Sequence, residues 1–319
     1  MRRFLLGAVL ATAVMSPASA QYPDKPIRFI VPQAAGSNTD LYSRLIAAEM
    51  SKSLGQQIVI ENKPGAAFTV GLDAIAKAPP DGYTIGMGLI GGLAIAPHMV
   101  AKLPYDIEKD FQPVAQVSRA YMILAVSPKS QLNSVKDIVA YAKANPGKLS
   151  NASSATGSPG HVGAELFKYM ADVKITHVPY RGGAGAVNDL IAGHVDMMLE
   201  GLQSMAPHVR EGRVKGVGVS GTARSPAFPD IPTLAEAGVA GYEATTWLGV
   251  VAPAKTPRDI VDKLNKAVND ALKSPPVVAQ FKLTGDEAVG GTPEDYARLI
   301  KSDNAKWKDV VARSGARLE

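Results

Sequence analysis

Short apolar runs alternate with longer amphipathic segments along the chain, and this alternation predicts strands separated by helices. We predict strands at 27–31, 57–61, 83–87, 114–117, 122–126, 149–152, 175–178, 195–199, 214–220 and 247–251. We predict helices that begin at 37 and 134, lie near 162–169, 184–192 and 205–211, run from 256 to 274, and begin again at 292. Repeated strand–helix units are typical of parallel sheets with helices on both faces, so the predicted fold class is α/β and doubly wound.

The first strand leads through a turn of small residues into a helix. Pro32 ends the strand, because proline cannot donate to a central ladder. Ser37 and Asp40 have the spacing of a capping box, which opens a helix that carries Leu41 and Leu45 on one face. The backbone N–H groups of such a turn are unpaired beside the positive end of a helix dipole, so they suit an anion. An ordinary strand–helix turn has the same pattern, and the residues alone leave both interpretations open.

Two further loops have the composition of an anion site. Residues 151–161 are nearly all small or hydroxylic and lie between a predicted strand and a predicted helix. Hydroxyls and exposed amides at a helix N-terminus suit a carboxylate, phosphate or sulfate, although a flexible Ser/Gly linker has a similar composition. The third loop, 180–183, contains Arg181, which either pairs with an acid group or is solvated.

The N-terminal residues have the pattern of a cleaved secretory leader. Two arginines precede an apolar run at 4–15, and an Ala-x-Ala cleavage site occupies 18–20. We therefore expect residues 1–20 to be removed, so that the mature protein begins near Gln21 in the periplasm. The basic count then falls from 34 to 32 against 29 acids, and the formal charge falls from +5 to about +3. Without a dense Lys/Arg run we expect no nucleic-acid partner, and with no cysteine the chain depends on its core.

Motifs for bond-breaking chemistry are weak or missing. Gly86-x-Gly88-x-x-Gly91 matches a dinucleotide fingerprint, but an isolated match is a poor indicator and no ribose-binding acid is clearly placed. The sequence has no Walker loop, no Gly-x-Ser-x-Gly elbow and no His-Glu-x-x-His. Its five histidines are scattered without metal-ligand spacing. We therefore predict no catalytic residue, no metal site and no cofactor.

Eight short motifs occur in order along the chain: Pro32-x-x-Ala35-Gly36-x-x-x-Asp40, Glu61-Asn62-Lys63-Pro64-Gly65-Ala66, Pro80-Asp81-Gly82-Tyr83-Thr84, Asn145-Pro146-Gly147-Lys148-Leu149, Gly157-Ser158-x-x-His161, His177-Val178-Pro179-Tyr180-Arg181-Gly182, Asp230-Ile231-Pro232-Thr233 and Gly241-Tyr242-Glu243. Together they resemble the substrate-binding proteins of the tripartite tricarboxylate transporters, also called the Bug family. The resemblance covers the chain from the leader to the final helix. It implies a receptor for a small organic carboxylate with a periplasmic binding protein type II (Venus flytrap) fold, in which two doubly wound lobes are joined by crossing strands.

The same resemblance implies how the chain is divided and what it meets. Lobe 1 would comprise residues 21–120 and 243–319, and lobe 2 would comprise residues 121–242. The implied partners are the large and small membrane subunits of the transporter, and we expect the receptor to be a monomer. The competing hypothesis is an exported α/β enzyme, a hydrolase or isomerase that acts on small acids.

The resemblance places carboxylate binding in the first two loops, which the unpaired amides also indicate. We predict ligand contacts from the first loop and helix at Gln33, Ala35, Gly36, Ser37, Asn38 and Asp40, from the Ser/Gly loop at Ser153, Thr156, Gly157, Ser158 and His161, and from the third loop at Tyr180, Arg181 and Gly182. This chain has Ser37 where the family commonly has a second glycine, and the serine hydroxyl would cap the helix.

Three further residues are predicted to lie near the cleft with open roles. Leu89 either offers apolar contact to a ligand with an aromatic or aliphatic body, or is buried in its own lobe. Glu200 would repel a second carboxylate of the ligand or receive an ammonium or hydroxyl group. Trp247 is either an aromatic platform for the ligand or a residue that packs at the hinge.

Overall fold

The computed structural model describes residues 22–314, so the predicted leader at 1–20 and Gln21 lie outside the described residues. The strands there are β1 (Ile27–Val31), β2 (Ile58–Asn62), β3 (Thr84–Leu89), β4 (Phe111–Ala120), β5 (Met122–Val126), β6 (Ser150–Ser153), β7 (Thr176–Pro179), β8 (Met197–Gly201), β9 (Lys215–Val219), β10 (Thr246–Pro253) and β11 (Glu287–Gly290). The α-helices are α1 (Asn38–Leu54), α2 (Thr69–Ala76), α3 (Ala96–Met99), α4 (Val135–Ala144), α5 (Pro159–Ala171), α6 (Gly183–Ala192), α7 (Leu202–Arg210), α8 (Arg258–Leu272), α9 (Pro275–Thr284) and α10 (Pro293–Ser314). None of these helices is both long enough and apolar enough to cross a bilayer.

The strands between residues 22 and 314 form two sheets, and each sheet is mixed. The first has the order β11-β4-β10-β3-β1-β2, and the second has the order β7-β6-β8-β5-β9. Strands β1–β3 pair in parallel, as do β6–β8, whereas β10 and β5 run antiparallel to their neighbours. The predicted parallel pairing holds within β1–β3 and β6–β8, whereas β5 and β10, through which the chain enters each sheet from the other half of the molecule, run antiparallel. We name the halves that contain the first and second sheets lobe 1 and lobe 2.

The crossing between the lobes is short and buried. Tyr121 separates β4 from β5, and the next residue, Met122, donates its N–H to Ser220 Oγ and accepts the Ser220 N–H, both at 2.9 Å. A Cβ on Gly221 would lie 1.9 Å from the Tyr121 ring, so only glycine lets the segment after β9 approach the first crossing this closely. The first residue of β10, Thr246, pairs with Ala120. The lobe boundaries at 120/121 and 242/243 stay predictions.

Helix α1 begins as the sequence predicts but packs through a different face. Ser37 is its N-cap and accepts the Asp40 N–H at 3.2 Å. The buried face carries Tyr42 and Ile46 rather than Leu41, whose side chain is exposed. The apolar pattern therefore predicts a buried face that is wrong by one position. The reason is that the Tyr42 ring packs in the core although its hydroxyl is polar. The sequence pattern predicts neither strand β11 nor helix α9. Helix α9 begins at the Pro-Pro pair 275–276, because proline is tolerated in the first turn of a helix.

Candidate functional site

A cavity of about 330 Å³ lies between the two lobes and is bounded by both of them. Its walls come from the start of α1, the end of β3, the two crossings and the start of α7. The lining residues are Gln33, Ser37, Asn38, Thr39, Tyr42, Phe68, Leu89, Ile90, Gly91, Ser118, Ala120, Tyr121, Met122, Pro159, Glu200, Gly201, Leu202, Gln203, Ser204, Thr246, Trp247, Leu248 and Asp286. A cavity of this size is in the range of small-molecule sites. No lysine, arginine or histidine is among the described residues that line it.

Asp40 organises the loop before α1 rather than facing the cavity. Its Oδ2 accepts the Gly36 N–H at 2.9 Å and Arg44 Nε at 3.0 Å, and its Oδ1 accepts Asn62 Nδ2 at 2.9 Å. Burial acts to raise the pKa of this carboxyl, but the hydrogen bonds from Arg44, Gly36 and Asn62 outweigh it and lower the pKa. Asp40 therefore stays ionised and holds the turn in shape, and the Gly36 amide is not free for a ligand.

The donors that remain at this helix end are the first-turn amides of Asn38 and Thr39. The N–H groups of Asp40 and Leu41 are satisfied by the side chain and the carbonyl of Ser37, respectively. An N–H in the first turn of a helix has no intrahelical acceptor, and both Asn38 and Thr39 line the cavity. The positive end of the α1 dipole reinforces these donors. Asn38 and Thr39 thus offer two amides at the cavity, whereas the Gly36 amide of the first loop is engaged by Asp40.

The Ser/Gly loop is a folded turn, not a flexible linker. Ser158 caps α5 by accepting the His161 N–H at 3.2 Å, and the Gly157 N–H donates to His161 Nδ1 at 3.0 Å. Ser153 Oγ contacts His177 Nε2 at 2.7 Å. The Gly157 amide and the Ser153 and Ser158 hydroxyls therefore have partners inside the protein, and ligand contacts of this loop stay predictions. Among the described residues of this loop and of the first turn of α5, only Pro159 lines the cavity.

The stacked imidazole rings of His161 and His177 pack against each other and support this loop. The His161 and His177 rings lie 3.8 Å apart between centroids, with an interplanar angle of 19°. Burial, followed by the nearby His177 and Lys168, lowers the pKa of His161 to about 3. Burial also lowers the pKa of His177. Both rings are therefore neutral at physiological pH and act as packed hydrogen-bonding groups.

The third loop is tied to the second and lies outside the cavity. The Gly182 N–H donates to the Ser154 carbonyl at 2.8 Å, and the Tyr180 hydroxyl donates to Asp189 Oδ2 at 2.6 Å. Arg181 is exposed and forms no ion pair with any residue in the range 22–314 that the structure describes. These contacts agree with a solvated Arg181, and its contact with ligand stays a prediction.

An interlobe hydrogen-bond network forms one end of the cavity. Gln203, at the start of α7 in lobe 2, donates its Nε2 to the Tyr42 hydroxyl at 2.8 Å and also to Asp286 Oδ2. Tyr42 donates to the same Asp286 oxygen at 2.5 Å and contacts Thr284 Oγ1 at 2.8 Å. The network joins lobe 1 to lobe 2 directly. Burial raises the pKa of Asp286 to about 6, although the bonds from Tyr42 and Gln203 act in the opposite direction.

An apolar wall faces this polar end. Leu89 and Ile90 are 5% and 3% exposed and both line the cavity, so Leu89 is buried in its own lobe, and its contact with a ligand stays a prediction. Phe68 lies beside them, and a Cβ on Gly91 would lie 2.5 Å from its ring, so the glycine makes room for it. Trp247 donates Nε1 to Asp303 at 2.6 Å and is 2% exposed, which agrees with a packing role at the cavity edge.

The structure brings some predicted residues to the cavity and leaves others outside it. Of those predicted, the following line the cavity: Gln33, Ser37, Asn38, Leu89 and Glu200. The others shape the surrounding loops: Ala35, Gly36, Asp40, Ser153, Thr156, Gly157, Ser158, His161, Tyr180, Arg181 and Gly182. A larger open depression of about 730 Å³ lies elsewhere, beside α4 and α5, and contains none of the predicted residues.

The cavity residues that sequence reasoning missed include Thr39, Tyr42, Phe68, Gln203 and Asp286. Tyr42 lies one helical turn after Asn38, so helical periodicity alone could have indicated it. Gln203 follows the carboxyl end of a strand, where ligand sites are common in α/β sheets. No local signal marks Asp286, because it enters the cavity through the unpredicted β11 region.

Comparison with known proteins agrees with this geometry. Residues 42–316 match the family described as the tripartite tricarboxylate transporter family receptor. BugT of Bordetella pertussis is 35% identical over 318 residues, which cover 99% of this chain and 98% of BugT. Rpa4515 of R. palustris, solved with adipate, is 36% identical with a TM-score of 0.80, and the match covers 93% of this chain and 100% of that chain. MatC from Rhodopseudomonas palustris, solved with bound malate, is 34% identical with a TM-score of 0.77 over 91% of this chain and 100% of that chain.

Helices surround two mixed sheets here, and the matched proteins include periplasmic binding proteins with the same architecture. The family match begins within α1 and continues beyond the last described helix, so it spans both lobes. This chain therefore belongs to the tripartite tricarboxylate transporter receptor family, whose members are periplasmic solute receptors and not enzymes.

Proposed function

We propose that this receptor captures a small organic carboxylate in the interlobe cavity and presents it to a tripartite tricarboxylate transporter. The observation that carries the proposal is the pair of first-turn amides, Asn38 and Thr39, at a cavity whose described lining contains no cationic side chain. A carboxylate at a helix N-terminus is stabilised by N–H donors and by the dipole without an ion pair. Relatives solved with adipate and with malate support the same ligand class.

The apolar wall selects the body of the ligand. Phe68, Leu89 and Ile90 provide surface for an aliphatic or aromatic chain, which favours such an acid over a compact hydroxylated one such as citrate. Burying apolar ligand surface on this wall contributes roughly 25 cal/mol per Å².

Closure of the lobes couples capture to delivery. The ligand binds the closed form more tightly than the open form, so it shifts the population toward a shape that the membrane subunits recognise. The Gln203–Tyr42 contact lies across this interface and is made when the lobes are as close as they are here. Removal of residues 1–20 after export would release the receptor into the periplasm, where these partners meet it.

A thermal-shift screen of the mature protein tests the proposal. The panel contains linear and aromatic monocarboxylates, dicarboxylates and tricarboxylates, with the corresponding primary amides as neutral controls. We expect concentration-dependent stabilisation by acids with an apolar body and none by the amides. Mass spectrometry after denaturation should recover the acid unchanged. Equal stabilisation by acids and amides, or stronger stabilisation by citrate than by the apolar acids, would contradict the proposal.

A further inference from the structure

Two carboxyl groups in the cavity wall each have a buried oxygen without a hydrogen-bond partner among the described residues. Glu200 is the second-last residue of β8 in lobe 2. Its Oε1 accepts the Gly201 N–H at 2.9 Å, and its Oε2 has no hydrogen-bond partner among the described residues. Asp286 precedes β11 in lobe 1, and its Oδ1 is unpartnered. Both residues line the same cavity, from opposite lobes. Each therefore has an acceptor that the protein itself does not satisfy.

Burying a carboxylate oxygen without a hydrogen-bond donor destabilises the protein, and the described residues that line the cavity include no cationic side chain to offset this. Leaving a buried acceptor without a donor costs about 1–3 kcal/mol, and more when it is charged. The lining contains no lysine, arginine or histidine that could approach either group. A group that enters with the ligand can supply donors to these two oxygens. Either a cation or a hydroxyl could supply them, whereas a second ligand carboxylate would need both acids to be protonated.

The bonding of Asp286 favours a cation over a second carboxylate. Its Oδ2 accepts from both Tyr42 and Gln203, which is the pattern of an ionised carboxylate. Burial raises the pKa of Asp286 to about 6, which still leaves most of the group ionised at pH 7. Burial also raises the pKa of Glu200 against the hydrogen bonds from the Gly201 N–H and the Ser154 side chain, and a nearby ligand cation would favour its ionised form. A ligand carboxylate placed between these groups would be repelled.

We propose that Glu200 and Asp286 form a subsite for an ammonium group, so that this receptor takes aminocarboxylates in preference to dicarboxylates. The inference rests on the proposed function, since the carboxylate of the same ligand binds the Asn38 and Thr39 amides. An ammonium group has three donors and can bridge the two free oxygens from opposite lobes. Its binding would therefore add attraction between the lobes to the contact made by Gln203.

Calorimetric titration with three matched series of linear acids tests the assignment. The series, each of four to eight carbons, are monocarboxylates, α,ω-dicarboxylates, and amino acids with the amino group on the α or the ω carbon. We expect the best amino acid to bind at least about tenfold more tightly than the dicarboxylate and the monocarboxylate of its own length. In the double variant Glu200→Gln with Asp286→Asn, the ratio of amino-acid affinity to monocarboxylate affinity should fall to about one, whatever the variant's absolute affinities. Glu108→Gln with Asp309→Asn removes the same charge from exposed positions and should leave the preference intact.

The outcomes separate the two proposals. A dicarboxylate or monocarboxylate that binds as tightly as the best amino acid overturns the ammonium subsite and leaves the carboxylate receptor standing. An amino-acid preference that survives in the double variant also overturns the subsite. Binding by no member of any series contradicts the carboxylate receptor itself. The comparison among ligands uses the wild-type protein, so it decides the matter even if the double variant does not fold.

Discussion

Gln203 of lobe 2 donates a hydrogen bond to the hydroxyl of Tyr42 in lobe 1 at 2.8 Å, directly across the interface between the lobes at one end of the cavity. The same amide also donates to Asp286, so one side chain links two residues of the opposite lobe. This contact depends on the relative position of the lobes, and a two-lobed receptor can use such a contact to stabilise its closed form.

Replacing Gln203 with alanine should favour the open form. A hydrogen bond to a charged or hydroxyl partner contributes about 1–2 kcal/mol, so we expect ligand affinity to fall by roughly 5- to 30-fold. Calorimetry measures the affinity, and small-angle scattering of the unliganded protein should report a larger radius of gyration. Gln131→Ala, at an exposed position of lobe 2, is the matched control. Unchanged affinity and radius in Gln203→Ala would show that the contact does not influence closure.

Proline at position 38 should remove one anion donor while the helix is preserved. Asn38 is the first residue of α1, where proline is well tolerated, and Ser37 before it has the extended backbone (φ −69°, ψ 161°) that proline requires. Asn38→Ala retains the N–H and removes only the side chain, so it is the direct control. We expect Asn38→Pro to bind the preferred acid about 10- to 100-fold more weakly than Asn38→Ala. Equal affinities would exclude the amide of residue 38 as a ligand donor.

Asp286→Asn should stabilise the unliganded protein near neutral pH. The folded-state pKa of about 6 lies above the value of 3.8 for an unperturbed aspartate, so keeping this carboxyl ionised destabilises the fold above pH 6. That penalty disappears as the pH falls through 6 toward 4, because the native carboxyl becomes protonated. We expect a gain of about 2–3 kcal/mol at pH 7.5 in urea unfolding and little gain at pH 4.5. A variant that is less stable at both values would instead assign Asp286 a structural role.

The stacked histidines should make the fold sensitive to acid. An unfolded histidine takes a proton near pH 6.5, whereas the pKa of His161 in the fold is about 3, so stability is lost as the pH falls from 6.5 toward 3. Between pH 7.5 and pH 5 we expect a loss of about 2 kcal/mol from this group. The double variant His161→Gln with His177→Gln should lose less stability between pH 7.5 and pH 5 than the wild type. The control His194→Gln changes an exposed ring and should lose as much stability as the wild type.

A direct titration checks the same claim without a variant. In NMR spectra the His161 ring should keep its neutral chemical shifts at pH 5. A midpoint for His161 near 6.5 would contradict a buried, neutral ring.

The fold was largely predictable because its signals are local. The alternation of apolar runs indicated each of the strands from β1 to β10, and Ser37 and Ser134 cap α1 and α4 as their spacing predicts. Strand direction in the sheets was not predictable in this way. Whether β5 and β10 run antiparallel depends on which lobe the chain enters from, and no short pattern encodes that.

The position of the cavity was partly predictable, but the state of the individual donors was not. The unpaired amides of a strand–helix turn pointed to the start of α1, where Asn38 lines the cavity, and its contact with ligand stays a prediction. The loop amides at Gly36 and Gly157 instead bond to Asp40 and His161, four residues further along the chain in each case. Side chains that turn back to cap their own loop compete with a ligand for the same donors, and composition alone does not show which partner prevails.

A crystal structure of the mature receptor with the acid that stabilises it most in the thermal-shift panel tests the central claim most directly. We predict that the ligand carboxylate lies within about 3 Å of the Asn38 and Thr39 nitrogens, at the N-terminus of α1. A carboxylate paired with Arg181, or bound in the open depression beside α4 and α5, would contradict it.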